Sequence, residues 1–222
     1  RGKITGPEAA QHPAGIAAGF YCSAALRLDR TGRCWGDNLW GQCNVPADLT
    51  NAVMIAPGYD HMLALRADGT VAAWGRNNNG QINVPVGLSN VVSICAEGYQ
   101  SLALRADGTV AAWGYYGRRG AVYVPPGLSN VVALAAANLH TMALKADGKV
   151  VAWGPNDYGQ TNVPTALSNV VAIAAGSGYD ASHSLALTAD GRVHAWGYNN
   201  NGQSTLPSSL PDAVEIGAGG YA

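Results

Sequence analysis

The dipeptide Trp-Gly recurs at Trp35, Trp74, Trp113, Trp153 and Trp196, at spacings of 39, 39, 40 and 43 residues. A period near 40 restricts the chain to folds built by stacking copies of one small unit. The same phrase surrounds each tryptophan. In the second copy it runs from Leu63-Ala64-Leu65 through Arg66-Ala67-Asp68-Gly69-Thr70 to Val71-Ala72-Ala73-Trp74-Gly75. Asn77, Gly80-Gln81, Val84-Pro85 and Leu88-Ser89-Asn90-Val91-Val92 follow. Five copies are complete, over about residues 12–51, 52–90, 91–130, 131–169 and 170–212, with partial copies at 1–11 and 213–222. Both ends fall inside a copy and the first residue is Arg rather than Met, so the expectation is one domain, truncated at both ends.

Each copy reads as four short strands, a to d. In the third copy these are Val91 to Ala96, Ser101 to Arg105, Thr109 to Trp113 and a segment running up to Val124-Pro125. Asp-Gly at residues 68–69, 107–108, 147–148 and 190–191 stands between b and c, where a tight hairpin needs residues that tolerate positive φ. Strand a is rich in Ala and Gly while b and c carry Leu and Trp, the gradient required of wedge-shaped sheets converging on an axis. Both faces of b and c are apolar, so each sheet is covered on two sides. The fold class is therefore all-β, a β-propeller of four-stranded antiparallel blades. Only 12% of residues are charged, while Gly supplies 29 and Pro 11 of the 222, as many short strands and tight turns demand.

The phrase Trp-Gly-x-Asn-x-x-Gly-Gln-x-x-Val-Pro, with Leu-Ser-Asn and the Ala-Leu-x-x-Asp-Gly hairpin, resembles the repeat of the regulator of chromosome condensation family over nearly the whole chain. Its Ala-rich, low-charge style is similar to that of bacterial propeller-type β-lactamase inhibitory proteins. The resemblance implies a ring of seven blades, of which this chain holds five and two fragments. It also implies inhibition of a protein as one form the function can take. Two departures stand out: Arg30 replaces the hairpin glycine in the first copy, and Gly120-Ala121 replaces Gly-Gln in the third.

Alternating strand direction puts the a–b and c–d turns at one end of every sheet and the b–c turns and d–a connections at the other. The second end is constant: nine positions separate Pro46 from Ile55, Pro85 from Ile94, Pro125 from Leu134, Pro164 from Ile173 and Pro207 from Ile216. All length variation falls at the first end, in the a–b turn at 176–183 and the c–d turn at 115–119. Aromatic side chains collect there too. Tyr, Trp and Arg among Asn and Gly are the residue types of a recognition surface, since rigid rings give contact area at small entropic cost. Tyr115, Tyr116, Arg118 and Arg119 form the expected hot spot, with Trp40, Tyr59, Asp60, Tyr99, Tyr158, Tyr179 and Tyr198 around it. Phe20-Tyr21 and Leu39 lie on the same rim. Asn38, Asn77, Asn156 and Asn199 recur too regularly for recognition and are expected to bond within the c–d turns.

Little in the sequence asks for catalysis. His61, His140 and His183 start strand b in their copies, a position suited to packing, and no metal site, cofactor or catalytic residue is expected. No Ser or Cys recurs opposite them as a nucleophile, and no Gly-rich phosphate loop precedes a helix. Cys22, Cys34 and Cys43 share the first copy; a Cys34–Cys43 bridge is allowed by their spacing but not required. Cys95 replaces an Ala in strand a and reads as a small buried hydrophobe. A net charge of −1 and the lack of a basic tail argue against nucleic acid, and no apolar run is long enough to span a membrane. The expected function is a non-enzymatic module presenting the variable rim to a protein, with lectin-like sugar binding on the same rim as the alternative. Few lysines and Asn-, Gly- and Thr-rich turns point to an extracytoplasmic, secreted location. An unpaired strand edge leaves self-association, or completion of the ring by further sequence, as expectations about assembly.

Overall fold

The computed structural model describes residues 15–114, 122–178, 182–210 and 212–219. The described residues divide into two compact units, 15–114 and 122–219.

The first unit contains nine strands in three antiparallel sheets: β1 (Ile16–Ala18), β2 (Cys22–Leu26) and β3 (Gly32–Gly36); β4 (Ala52–Pro57), β5 (His61–Arg66) and β6 (Val71–Gly75); β7 (Val91–Glu97), β8 (Gln100–Arg105) and β9 (Val110–Gly114). The second unit contains two further sheets: β10 (Val131–Ala136), β11 (Thr141–Lys145) and β12 (Val150–Trp153); β13 (Val170–Ser177), β14 (Ser182–Thr188) and β15 (Val193–Gly197). Every sheet is a simple meander.

The sheets have three strands where the repeat was expected to give four. The segment that should have been strand d is held by its own turns. In the first copy Gly41 N donates to Asn38 O, Asn44 N to Gly41 O and Leu49 N to Pro46 O. These bonds consume the donors a ladder would need, and proline has none to offer. Among the described residues there are five sheets, and the seven of the family ring remain an implication of the resemblance.

Strand b is buried on both faces because its two side-chain sets serve different cores. In β5, Met62 and Ala64 join a core with Cys22, Ala24 and Leu26 of the first sheet. Leu63 and Leu65 join another with Ile94, Ala103 and Trp113 of the third. The period-2 alternation of a strand thus becomes, in a stacked sheet, a division between neighbours. The second unit repeats this packing, with Met142 and Leu144 against Ala186 and Trp196. Each inner strand after β1 carries a bulge near its start, between Ala52 and Met54 in β4 and between Val91 and Ser93 in β7, which turns Val53 and Val92 outward.

The constant end is tied by a repeated set of bonds. In the second sheet Asp68 Oδ1 accepts from Thr70 N at 3.0 Å and from Thr70 Oγ1 at 2.7 Å, and Gly69 sits at φ +78°. These two bonds hold the Asp68 carboxyl below its ordinary pKa, and the same is true of Asp29, Asp107 and Asp190 with their turn partners. The Gly69 carbonyl then accepts Val91 N at 3.0 Å, so the hairpin of one sheet anchors the first strand of the next. Fixed chain length between these points is a requirement of those bonds. Arg30 takes the same left-handed backbone, φ 62°, without the freedom of glycine.

Candidate protein-binding face

At the opposite end the c–d turn leaves strand c beside the a–b turn of the same sheet. Asp37 N donates to Tyr21 O at 2.9 Å, Arg76 N to Asp60 O at 2.8 Å and Tyr198 N to Ser182 O at 3.0 Å. Side chains from both kinds of turn therefore share one rim within each unit.

In the first unit these turns build a continuous aromatic row around one cation. The ring centroid of Phe20 lies 4.7 Å from Tyr21 and 4.8 Å from Tyr59, and Tyr59 lies 5.4 Å from Tyr99. Most pairs meet edge to face, the arrangement favoured by ring quadrupoles. The Arg76 guanidinium lies 4.5 Å over the Trp40 ring and 5.3 Å over that of Tyr99. Its Nη1 donates to Asp60 Oδ2 at 3.0 Å. Arg76 is thus oriented by a carboxylate and two rings, each ring contact worth about 0.5 to 2 kcal/mol.

The expected rim residues do not all face outward. Tyr59 is 4% exposed and Asp60 6% exposed, so they support the rim and do not form its outer surface. The a–b turn tucks both inward: Tyr59 N donates to Gly98 O in the next sheet, and Asp60 spends its carboxylate on Arg76. The outer surface consists of Phe20, Tyr21, Leu39 and Trp40, with Tyr99 half-buried behind them. Arg76 was missed by the sequence reading. Its signal is the residue after each Trp-Gly, which reads Asp37, Arg76, Tyr115, Pro155 and Tyr198 and holds a cation once, in the copy that has Asp60 directly before strand b.

In the second unit Tyr158 and Tyr198 pack edge to face at 4.9 Å, Tyr158 exposed and Tyr198 half-buried. Tyr115, Tyr116, Arg118, Arg119 and Tyr179 lie outside the described residues. The recurring asparagines do what their regularity required. Asn77 Nδ2 donates to Asn83 Oδ1 at 2.8 Å and Asn77 Oδ1 accepts Ile82 N, and Asn38, Asn156 and Asn199 close their turns in the same way.

Behind the rim, the structure does place a serine against each of two histidines. His61 Nε2 is 2.9 Å from Ser101 Oγ, and His140 Nε2 is 2.8 Å from Ser184 Oγ. Each hydroxyl donates its hydrogen elsewhere, Ser101 to Gln81 O and Ser184 to Gln160 O, both at 2.8 Å. The imidazole must then be the donor, so the proton runs the wrong way for a nucleophile, and all four side chains are wholly buried. Burial also lowers the His140 pKa to about 4, with His183 nearby adding to the effect. The same glutamine carbonyls accept the tryptophan of the next sheet: Trp113 Nε1 to Gln81 O at 2.9 Å and Trp196 Nε1 to Gln160 O at 3.0 Å. These are staples between neighbouring sheets. Among the described residues no group of three His, Cys, Asp or Glu is arranged to hold a metal ion. All four cysteines are free thiols, Cys95 being buried in β7 as a small hydrophobe.

Comparison with known proteins agrees with this architecture. The regulator of chromosome condensation (RCC1) repeat matches residues 55–81, 131–160 and 170–203. No curated protein matches the chain in sequence. Among solved structures, Prp20p from Saccharomyces cerevisiae is similar at 22% identity and a TM-score of 0.71, over 93% of this chain and 66% of that one. The ectodomain of the receptor kinase CR4 from Physcomitrella patens is similar at 21% identity and a TM-score of 0.74, over 92% of this chain and 56% of that one. Yeast RCC1 (Prp20) bound to Kap60 is similar at 22% identity and a TM-score of 0.69, over 90% and 59%. The chain thus spans between 56% and 66% of the length of these structures. The likeness shows the fold, a β-propeller of the RCC1 type.

Proposed function

We propose that this chain is a non-enzymatic protein-binding module whose contact surface includes the aromatic rim of the first unit. The observation that carries the reading is Arg76, fixed by Asp60 and covered by Trp40 and Tyr99, with Phe20 and Tyr21 beside it. Arg76, held by Asp60, fixes the partly exposed Trp40 ring, so that Phe20, Tyr21 and Trp40 offer a partner rigid aromatic area, the residue type that dominates binding energy at protein interfaces. Prp20p has binding properties toward Gsp1p and histones and is also bound by Kap60, so this fold serves protein recognition elsewhere. Inhibition of an enzyme such as a β-lactamase is the specific form suggested by the sequence resemblance, and an extracytoplasmic location fits that role.

The test is a binding and inhibition assay against a panel of purified β-lactamases, using the wild-type chain and Phe20→Ala, Trp40→Ala and Arg76→Ala. Expected is a partner whose affinity falls by roughly 10-fold or more in each variant, as for hot-spot truncation, with folding intact by circular dichroism. Unchanged affinity in all three would remove this rim from the interface. Sugar binding on the same rim is the competing outcome, read on a glycan array.

A further inference from the structure

The first sheet differs from the others in its sulfur content. Strand b begins with Cys22, where the later copies have His61, Gln100, His140 and His183. Strand c carries Cys34, where the others have Ala73, Ala112, Ala152 and Ala195. The c–d turn ends in Cys43, where the others have Ile82, Val122, Thr161 and Ser204. The repeat serves as its own control: the scaffold needs cysteine at none of these positions, yet one copy has it at all three.

The fold brings the three together. Cys22 is paired across the sheet with Gly36, and Ala24 with Cys34, so Cys22 and Cys34 are diagonal neighbours on one face of the β2–β3 ladder. The Cys43 and Cys22 sulfurs both act on the Cys34 thiol. Cys43 and Cys34 pack on the same apolar cluster as Cys22 and are partly exposed, whereas Cys22 is buried with its sulfur 3.9 Å from Met62 Sδ. Cys43 is held in place from the turn, its N–H donating to Asn38 Oδ1 and its thiol to Asp37 O.

We propose that Cys34 and Cys43 form a peroxide-responsive dithiol site that closes a disulfide at the base of the turn carrying Leu39 and Trp40. Burial and the neighbouring sulfurs hold the Cys34 thiol protonated, and the first attack is assigned to Cys43, which sits partly exposed at the end of the turn. Its thiolate displaces hydroxide from the peroxide, the O–O bond breaks, and a sulfenic acid forms on Cys43. The Cys34 sulfur then attacks the Cys43 sulfur, the S–O bond breaks, and the departing hydroxide takes the Cys34 proton. Two thiols and one hydrogen peroxide give one disulfide and two waters. Met62 and the surrounding core shield Cys22 from the reagent. The bridge would enclose residues 35–42 in a covalent ring, restraining Trp40 and through it the Arg76 contact. That consequence rests on the proposed role of the rim; the bridge itself does not.

The experiment is to treat the intact reduced chain with hydrogen peroxide, block remaining thiols with iodoacetamide, and map peptides by mass spectrometry. Expected is a loss of about 2 Da per chain, the two hydrogens of one disulfide, with Cys34 linked to Cys43 and Cys22 and Cys95 still able to be alkylated in the denatured chain. Cys34→Ser and Cys43→Ser each abolish the bridge, and Cys22→Ser keeps it. Four alkylated thiols after treatment would overturn the proposal, as would a bridge through Cys22 or Cys95, or Cys43 oxidised to sulfinic acid with no bridge. Should a serine variant not fold, the wild-type map decides alone. Partner affinity with and without the bridge is a separate measurement, so failure of the rim reading leaves the chemical result standing.

Discussion

The first and second sheets share one sequence phrase and one topology, yet their tryptophans have opposite fates. Trp74 is 7% exposed and donates to Gln42 O of the first sheet at 2.9 Å. Trp35, at the equivalent place in β3, is 55% exposed. Trp113, Trp153 and Trp196 are buried like Trp74. For Trp74, Trp113 and Trp196 the phrase is completed by a glutamine carbonyl of the preceding copy, which accepts the indole N–H. The motif encodes recognition of one copy by another, and the sheet by itself is only half of what the sequence specifies.

Truncating the two tryptophans sharpens this contrast most. Trp74→Ala is expected to cost about 3 to 5 kcal/mol, the range for a large buried aromatic, whereas Trp35→Ala should cost less than about 1 kcal/mol. Urea unfolding followed by circular dichroism measures both, and equal losses would show that the burial of Trp74 against Gln42 does not matter.

The second contrast is chemical. Where the first sheet has Cys22 contacting Met62, later sheets have histidine contacting serine. His140 has its pKa lowered to about 4 in the folded chain from 6.5. The unfolded chain thus binds the proton first, and stability is complete above pH 6.5, falls as pH drops toward 4 and levels off below that. The linked loss is about 3 kcal/mol, and His183, lowered by burial, adds in the same direction. Replacing His140 by cysteine, as in the first sheet, should flatten this arm of a stability-against-pH curve. An unchanged slope would assign it to other groups. The turn aspartates lose their stabilising effect only at lower pH, below the ordinary carboxylate range, because their folded pKa values are depressed.

A third contrast lies in the a–b turns, where Tyr21 occupies the place of Asp60. Asp60→Ala leaves Arg76 largely buried without its carboxylate and should cost about 2 to 3 kcal/mol. Tyr21→Ala, at an exposed ring, should stay within about 1 kcal/mol. Thermal melts of the two variants separate them.

The smallest effect concerns Arg30 and Gly69. Arg30 holds a left-handed backbone that L residues disfavour, so Arg30→Gly should stabilise the chain by about 0.5 to 1 kcal/mol. Gly69→Ala should do the reverse, and its Cβ would also meet Asn90 Cα at 3.3 Å. A destabilised Arg30→Gly would mean that arginine makes contacts outweighing the strain.

The repeat, the Asp-Gly hairpins and the structural asparagines were legible because each is a local solution to a local bonding problem, repeated until its meaning is plain. The constant end was legible for the same reason. What sequence alone misjudged depends on neighbours. Tyr59 and Asp60 look like free turn residues until the next sheet supplies Gly98 O and their own sheet supplies Arg76. The fourth strand was expected from a segment running up to Val-Pro in each copy, but turn bonds from Asn and Gly had already claimed its donors. Arg76 hid in a column that no periodic rule marks, since its use depends on an acid sixteen residues away in the same copy.

The Gln81 and Gln160 carbonyls, each taking both the serine hydroxyl and the indole of the following copy, couple the folding of neighbouring sheets within their unit. A copy that unfolds removes the acceptor its successor relies on, so loss should pass from one sheet to the next within a unit. Excising the second period, in phase, would pass the role of Gln81 to Gln42 and keep an acceptor for Ser101 and Trp113. Excising half a period would strand an acceptor on one side and its donors on the other.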